Sequence, residues 1–298
     1  MAASLELRAG AARVVLAPDA GGSIASYAWS GQAILRPTGA AALASRDVRD
    51  FASYPLIPFS NRIANAVLNW RGASYPLPRY LAGHPNAIHG NGWQRPWTVV
   101  DQASDRATIE LRHDASTRKL EWPFPYSARQ SFELEDQTLR LTMAIENTGL
   151  DAFPFGLGWH PFFPRNAATL LSFGAAAVWQ TDAMQLPTRL EPVPGIWDFS
   201  APRPVGSTVL DHCFAGWKGS ATLSWPDRGV SVSIAADPAC SHLVVYVPRG
   251  SDYLAVEPVT NMTDAFNRAN AGDADTGTRV LAPGETFSCT MRISVAAL

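Results

Sequence analysis

Four short segments set a proton-handling or hydrogen-bonding side chain inside an apolar, turn-rich stretch. Between Tyr54 and Ile63 an Asn61-Arg62 pair interrupts a hydrophobic run. Between Ala87 and Trp93, His89 stands among glycines. In Phe155-Gly156-Leu157-Gly158-Trp159-His160-Pro161-Phe162-Phe163 a single histidine is wrapped in aromatics and glycines. In Tyr253 to Thr260 the carboxylate of Glu257 closes an apolar run before Pro258. A polar group in such a setting is either satisfied by hydrogen bonds or put to use. Each has an ordinary explanation on its own: a lone histidine on a strand is usually a core or surface residue, a Glu before Pro often marks a strand end, and Arg62 can simply pair with a carboxylate. The combination carries more weight, because two histidines, one arginine and one glutamate are each framed by small residues or prolines that shape the backbone.

Other chemistries find little support. There is no Gly-x-Ser-x-Gly elbow for acyl transfer and no His-Glu-x-x-His zinc motif. The run Gly156-Leu157-Gly158 leads to His-Pro rather than into a helix, so it is neither a phosphate loop nor a dinucleotide fingerprint. Cys213, Cys240 and Cys289 are odd in number and far apart, which disfavours a disulfide framework or a cysteine zinc site. A net charge of −2 with scattered arginines gives no nucleic-acid footprint. No apolar run is long enough for a signal peptide core or a membrane span, so the expectation is a cytoplasmic protein with no membrane partner.

The elements that must position these residues are strands. Leu139, Leu141, Met143 and Ile145 alternate with Arg140, Thr142, Ala144 and Glu146, the period of a strand with one buried face. Phe132 and Leu134 precede it across Glu135-Asp136-Gln137, which reads as a hairpin. Val230, Val232 and Ile234 alternate after a turn at 226–229, and Phe287, Cys289, Met291, Ile293 and Val295 do so near the carboxyl end. Further strands are expected at 13–16, 23–29, 33–35, 67–70 and 74–77. No segment keeps a 3.6-residue period for more than a few turns. The fold class is therefore all-β, built of packed antiparallel sheets. Residues 187–207 are read as an excursion over the rim and 267–279 as a surface loop, within a single domain spanning 1–298.

In this order the segments resemble the aldose 1-epimerase (galactose mutarotase) family. Ser60-Asn61-Arg62-Ile63, Ile88-His89-Gly90, Gly156-Leu157-Gly158-Trp159-His160-Pro161, Asp211-His212-Cys213-Phe214 and the block from Glu257 to Asn267 match its motifs across roughly 200 residues. The resemblance implies a large antiparallel β-supersandwich with a cleft for a free sugar and no cofactor or metal. It implies catalytic roles for Glu257, as the base at the anomeric hydroxyl, and His160, as the acid at the ring oxygen. Asn61, Arg62, His89 and Asp211 would hold the sugar hydroxyls and tune the acid. The chain departs from the pattern at Val244, where relatives often have Gln, at Phe162 in place of a frequent Tyr, and at Thr263 in place of a frequent Pro; these bear on which sugar is preferred.

Anomer exchange needs one proton removed from the hydroxyl at C1 and one delivered to the ring oxygen, which a carboxylate and an imidazolium can do and then reverse. Asp211 is the candidate for favouring the imidazolium. The expected pH–rate profile is a bell with its acid limb from Glu257 and its basic limb from His160. Trp93, Trp159 and Trp217 are candidates for stacking on the sugar. Two alternatives stay open. An epimerase of an anionic hexose would need extra cations, for which Arg95, Arg165 and Arg249 lie near the motifs. A non-catalytic sugar-binding module would be expected to lack Glu257 or His160. A glycoside hydrolase would want two facing carboxylates, and only Glu257 sits in a convincing context. A monomer or homodimer is expected, with a small-molecule sugar as the partner and no nucleic acid.

Overall fold

The computed structural model describes residues 4–298. Two large antiparallel sheets dominate it, one of 11 strands and one of 9. The nine-stranded sheet contains the hairpin read from the alternation: Tyr126–Glu135 pairs with Thr138–Asn147 through Leu134↔Leu139. Thr286–Ala297 follows on its other side, and Val230–Ala236 beyond that. Leu139, Leu141, Met143 and Ile145 are fully buried, as are Cys289, Met291, Ile293 and Val295 to within 2%. The alternation therefore marks the face that meets the other sheet. One contiguous apolar cluster joins side chains from both sheets.

The 11-stranded sheet is less transparent because its central strands are covered on both faces. Along its path lie Ser53–Leu56, Gly158–Pro164, Tyr253–Val259, His242–Val247 and Leu210–Ala215, each hydrogen-bonded to the next. All of Ser53–Leu56 is buried, and so is Gly158–Pro164 except its last residue. Strands buried on both sides read as continuous apolar runs. A polar residue within such a run is consequently conspicuous, as His160 and Glu257 are.

Two loop assignments are corrected. Residues 187–207 are not merely an excursion over the rim. They contain Pro187–Pro192, the last strand of the 11-stranded path, and Arg203–Pro204, the last strand of the nine-stranded one. Five prolines hide both, since proline is confined to sheet edges and these are edges. Residues 267–279 begin inside a helix, Ala265–Asn270, and end on the strand Arg279–Leu281. That helix is too short to show a period, as are Ala40–Ser45 and Ala115–Arg118.

Candidate active site

Register brings His160 and Glu257 together. Gly158 lies opposite Val259 and Phe162 opposite Ala255, which puts His160 across from Glu257 on the neighbouring strand. On the far side of His160 lies Tyr54, and beyond Glu257 come Val244 and then Cys213. One row of side chains thus crosses five strands: Tyr54, His160, Glu257, Val244 and Cys213. A second row, displaced by two residues, carries Phe162, Ala255, Tyr246 and Asp211. All of these residues except Cys213 and Ala255 line a cavity of about 330 Å³. Trp159 sits one residue from His160, so it points to the opposite face and into the core, where it is 1% exposed. Of the three tryptophans expected at the cleft only Trp93 lines it; Trp217 is buried with its indole N–H donating to the Ser220 carbonyl at 2.9 Å.

The wall is built by a two-stranded ribbon, in which Arg62 pairs with Ile88 and Ile63 with Ala87. The ribbon brings Asn61 and His89 side by side, and both adopt left-handed backbone, with φ of 58° and 61°. The His89 N–H donates to the Asn61 carbonyl at 2.9 Å, and the Asn61 N–H donates to His89 Nδ1 at 3.1 Å. Accepting at Nδ1 leaves the ring proton of neutral His89 on Nε2. Burial, with His160 and Arg62 nearby, pushes its pKa well below the ordinary value, so His89 is neutral. Asp264 and Asn267, part of the motif block after Glu257, brace this wall. Asp264 accepts from the Ala64 N–H at 3.0 Å, and Asn267 accepts from the Asn69 N–H at 2.8 Å.

Arg62 is held at several points. Nη1 donates to Asn61 Oδ1 at 3.0 Å, and Nη2 contacts Asp211 Oδ2 at 3.2 Å and donates to Gln185 Oε1. All six residues assigned from the sequence (Asn61, Arg62, His89, His160, Asp211 and Glu257) line the same cavity. Sequence reasoning missed Gln185, Tyr54, His84, Arg49, Tyr246 and Tyr253, which also line it. Tyr54 gave no signal because it sits in an apolar run, and Gln185 because it occupies a turn far along the chain.

At the centre, His160 Nε2 lies 3.3 Å from Glu257 Oε1, with the two side chains 7% and 2% exposed. His160 packs against both Tyr54 and Phe162, with ring centroids 4.7 and 4.4 Å away. The Arg36 guanidinium lies over the Phe162 ring, 4.1 Å from its centroid. Burial lowers the imidazole pKa to about 3, helped by the charge of Arg36 and then that of Arg62. Burial raises the Glu257 carboxyl well above its usual range; Asp211 adds to this and Arg62 opposes it. Both directions favour a pair that holds one proton between its two heavy atoms. Two expectations change accordingly. Asp211 does not sit against His160 as its counter-ion: it pairs with Arg62, and the carboxylate beside the imidazole is Glu257 itself. By these directions the acid limb of the pH profile is expected from His160 and the basic limb from Glu257, the reverse of the expectation from sequence.

The three arginines suggested for an anionic substrate lie elsewhere. Arg95 pairs with Glu121 at 3.6 Å, Arg165 donates to the Pro248 carbonyl at 3.1 Å, and none of Arg95, Arg165 or Arg249 lines the cavity. The additional cation at its edge, Arg49, donates through Nε to Asp47 Oδ1 at 2.8 Å. The free cysteines are all buried.

Residues 3–294 match the family model for aldose 1-epimerase. YphB, an uncharacterised protein of Escherichia coli K12, is 28% identical over 285 residues, 93% of each chain. YihR from the same organism, also uncharacterised, is 30% identical over 224 residues, 71% of this chain and 70% of its own. The crystal structure of a candidate aldose 1-epimerase from Escherichia coli K12 superposes with a TM-score of 0.90 at 27% identity, covering 99% of both chains. A galactose mutarotase-like protein from Clostridium acetobutylicum shares the fold with a TM-score of 0.85 at 20% identity, over 99% of this chain and 95% of its own.

Proposed function

The chain belongs to the aldose 1-epimerase family, and on that premise we propose that it interconverts the α and β anomers of a free, uncharged hexose, with Glu257 and His160 as the proton-transferring pair. The observation that carries this reading is the 3.3 Å contact of His160 Nε2 with Glu257 Oε1 on the floor of a polar-walled cavity. The anomeric oxygen and the ring oxygen of a pyranose share one carbon, so they can face two groups this close together. As the anomeric hydroxyl gives its proton to the carboxylate, the imidazolium gives one to the ring oxygen. The C1–ring oxygen bond opens, the aldehyde forms, and rotation about C1–C2 presents its other face. Readdition reverses both transfers, so the pair ends each cycle with the single proton it began with.

Burial keeps solvent from supplying or draining that proton. The ionised arrangement the reaction uses is one of two placements of the same proton; within it the charge of Arg62 favours anionic Glu257 and opposes the imidazolium of His160. A neutral substrate is favoured over an anionic one because the charge of Arg62 is answered by Asp211 and that of Arg49 by Asp47. The reading is tested by saturation-transfer NMR of anomer exchange across galactose, glucose and anionic hexoses. Glu257→Gln and His160→Asn should each slow exchange about 10²–10⁴-fold. Variants that turn over near the wild-type rate would remove the pair from the reaction.

A further inference from the structure

We propose that Gln185 is a sugar-binding residue that reads one hydroxyl through its side-chain amide N–H₂; this rests on the mutarotase reading of the cavity. Gln185 is remote from the motif-bearing segments. It occupies the turn between Ala177–Thr181 and Pro187–Pro192, the two outermost strands of that end of the sheet, and its backbone is left-handed with φ 60°. Its side chain nevertheless lines the cavity that contains His160 and Glu257.

Chemistry fixes which way the amide faces. The partner of the side chain is Arg62 Nη2, and a guanidinium only donates, so the group bonded to it must be Oε1. The N–H₂ end then points away from Arg62, and no protein acceptor among the described residues takes it. The result is a pair of donors without a protein partner on a residue that lines the same cavity as Arg62 and Asp211. A sugar hydroxyl is the natural acceptor.

The turn is held in place before any sugar arrives. Asp182 Oδ1 accepts from the Met184 N–H at 2.8 Å and the Leu186 N–H at 2.9 Å, and the Gln185 N–H donates to the Asp182 carbonyl at 3.0 Å. Asn86, buried to 1% and just ahead of the strand that leads to His89, donates to the Met184 carbonyl at 3.2 Å. Arg268 donates to the Pro187 carbonyl at 2.8 Å. Two loops that meet the cavity from different edges of the fold are thereby tied together. A donor fixed in this way binds without first having to be ordered.

The test compares wild type with Gln185→Met, which keeps length and removes both polar ends, and Gln185→Glu, which keeps the acceptor for Arg62 and removes the donors. Anomer exchange by NMR and binding by calorimetry are measured for galactose, glucose and their 2-, 3-, 4- and 6-deoxy forms. Wild type should bind one deoxy sugar less well than its parent. In both variants the KM for the parent should rise about 2- to 12-fold, the worth of one neutral hydrogen bond, with kcat within about twofold. The gap for that one deoxy sugar should close and the others stay. If Gln185→Met weakens every sugar equally while Gln185→Glu restores wild-type values, the residue only props Arg62 and the proposal falls. An unchanged KM in both variants also overturns it. Wild type that binds sugars without exchanging anomers would refute the mutarotase reading alone, because the deoxy-sugar gap is still read from the dissociation constants. Wild type that binds none of them overturns both.

Discussion

Replacing Gly90 with alanine tests whether the placement of His89 governs turnover. Gly90 has φ +69°, and a Cβ built on it would lie 2.1 Å from the Ile57 carbonyl oxygen and 2.6 Å from Pro58 Cδ. A carbon meets a carbonyl oxygen comfortably at about 3.3 Å, so the two segments must part by roughly 1.2 Å. Both obstructing atoms belong to the chain just before Asn61, and His89 immediately precedes Gly90. The separation therefore strains the paired hydrogen bonds, 2.9 and 3.1 Å long, that lock Asn61 to His89. A misplacement of about 1 Å at a site commonly costs on the order of 10²-fold in rate, and a loss of that size in kcat/KM is expected. The left-handed backbone and the forced contact together should lower stability by about 2–4 kcal/mol. Gly31→Ala is the control: its φ is +77° but nothing lies within 4 Å of the added carbon, so it should lose only about 1–2 kcal/mol and no activity. Exchange rates by NMR, with thermal unfolding of each variant, decide the matter. A folded Gly90→Ala protein that exchanges anomers within about threefold of wild type would refute the reasoning.

Three further outcomes follow from the electrostatics. The kcat/KM profile should be bell-shaped, with the acid limb from His160 near pH 3 and the basic limb from Glu257, at a pH well above the usual carboxylate range; a basic limb that stays in place when Asp211→Asn removes the charge raising Glu257 would contradict that assignment. Stability should fall as pH drops below about 6.5, because His242, lowered to about 4 chiefly by burial, takes up its proton first in the unfolded chain. That single residue accounts for about 3 kcal/mol across the window, so His242→Gln should flatten the acid side of the melting curve, and an unchanged slope would exclude it. Arg62→Lys should raise KM about tenfold or more, since a point ammonium cannot serve Asn61, Gln185 and Asp211 at once; an unaltered KM would mean the fork is not used.

Much of this protein is legible along the chain. Period-two alternation identified the hairpin at 126–147 and the strand Thr286–Ala297, because each has one wet and one dry face. The doubly covered strands of the other sheet lack that contrast, yet they made His160 and Glu257 visible as polar exceptions in apolar runs. The prolines of 187–207 masked two edge strands, since local propensity carries no information about which sheet edge a segment will join.

The residues themselves, then, were set by sequence: a histidine before Pro161, a glutamate before Pro258, and an Asn-Arg pair and a histidine framed by small residues. Their meeting was decided by tertiary structure. His160 and Glu257 face each other because Gly158–Pro164 pairs with Tyr253–Val259 in one register, and a slip of one residue would turn either side chain into the core. Such a pairing joins segments nearly a hundred residues apart, and no local pattern specifies it. The ownership of the shared proton and the arrival of Gln185 from the edge of the sheet depend on the same cause, because burial and long-range neighbours exist only once the strands have been ordered.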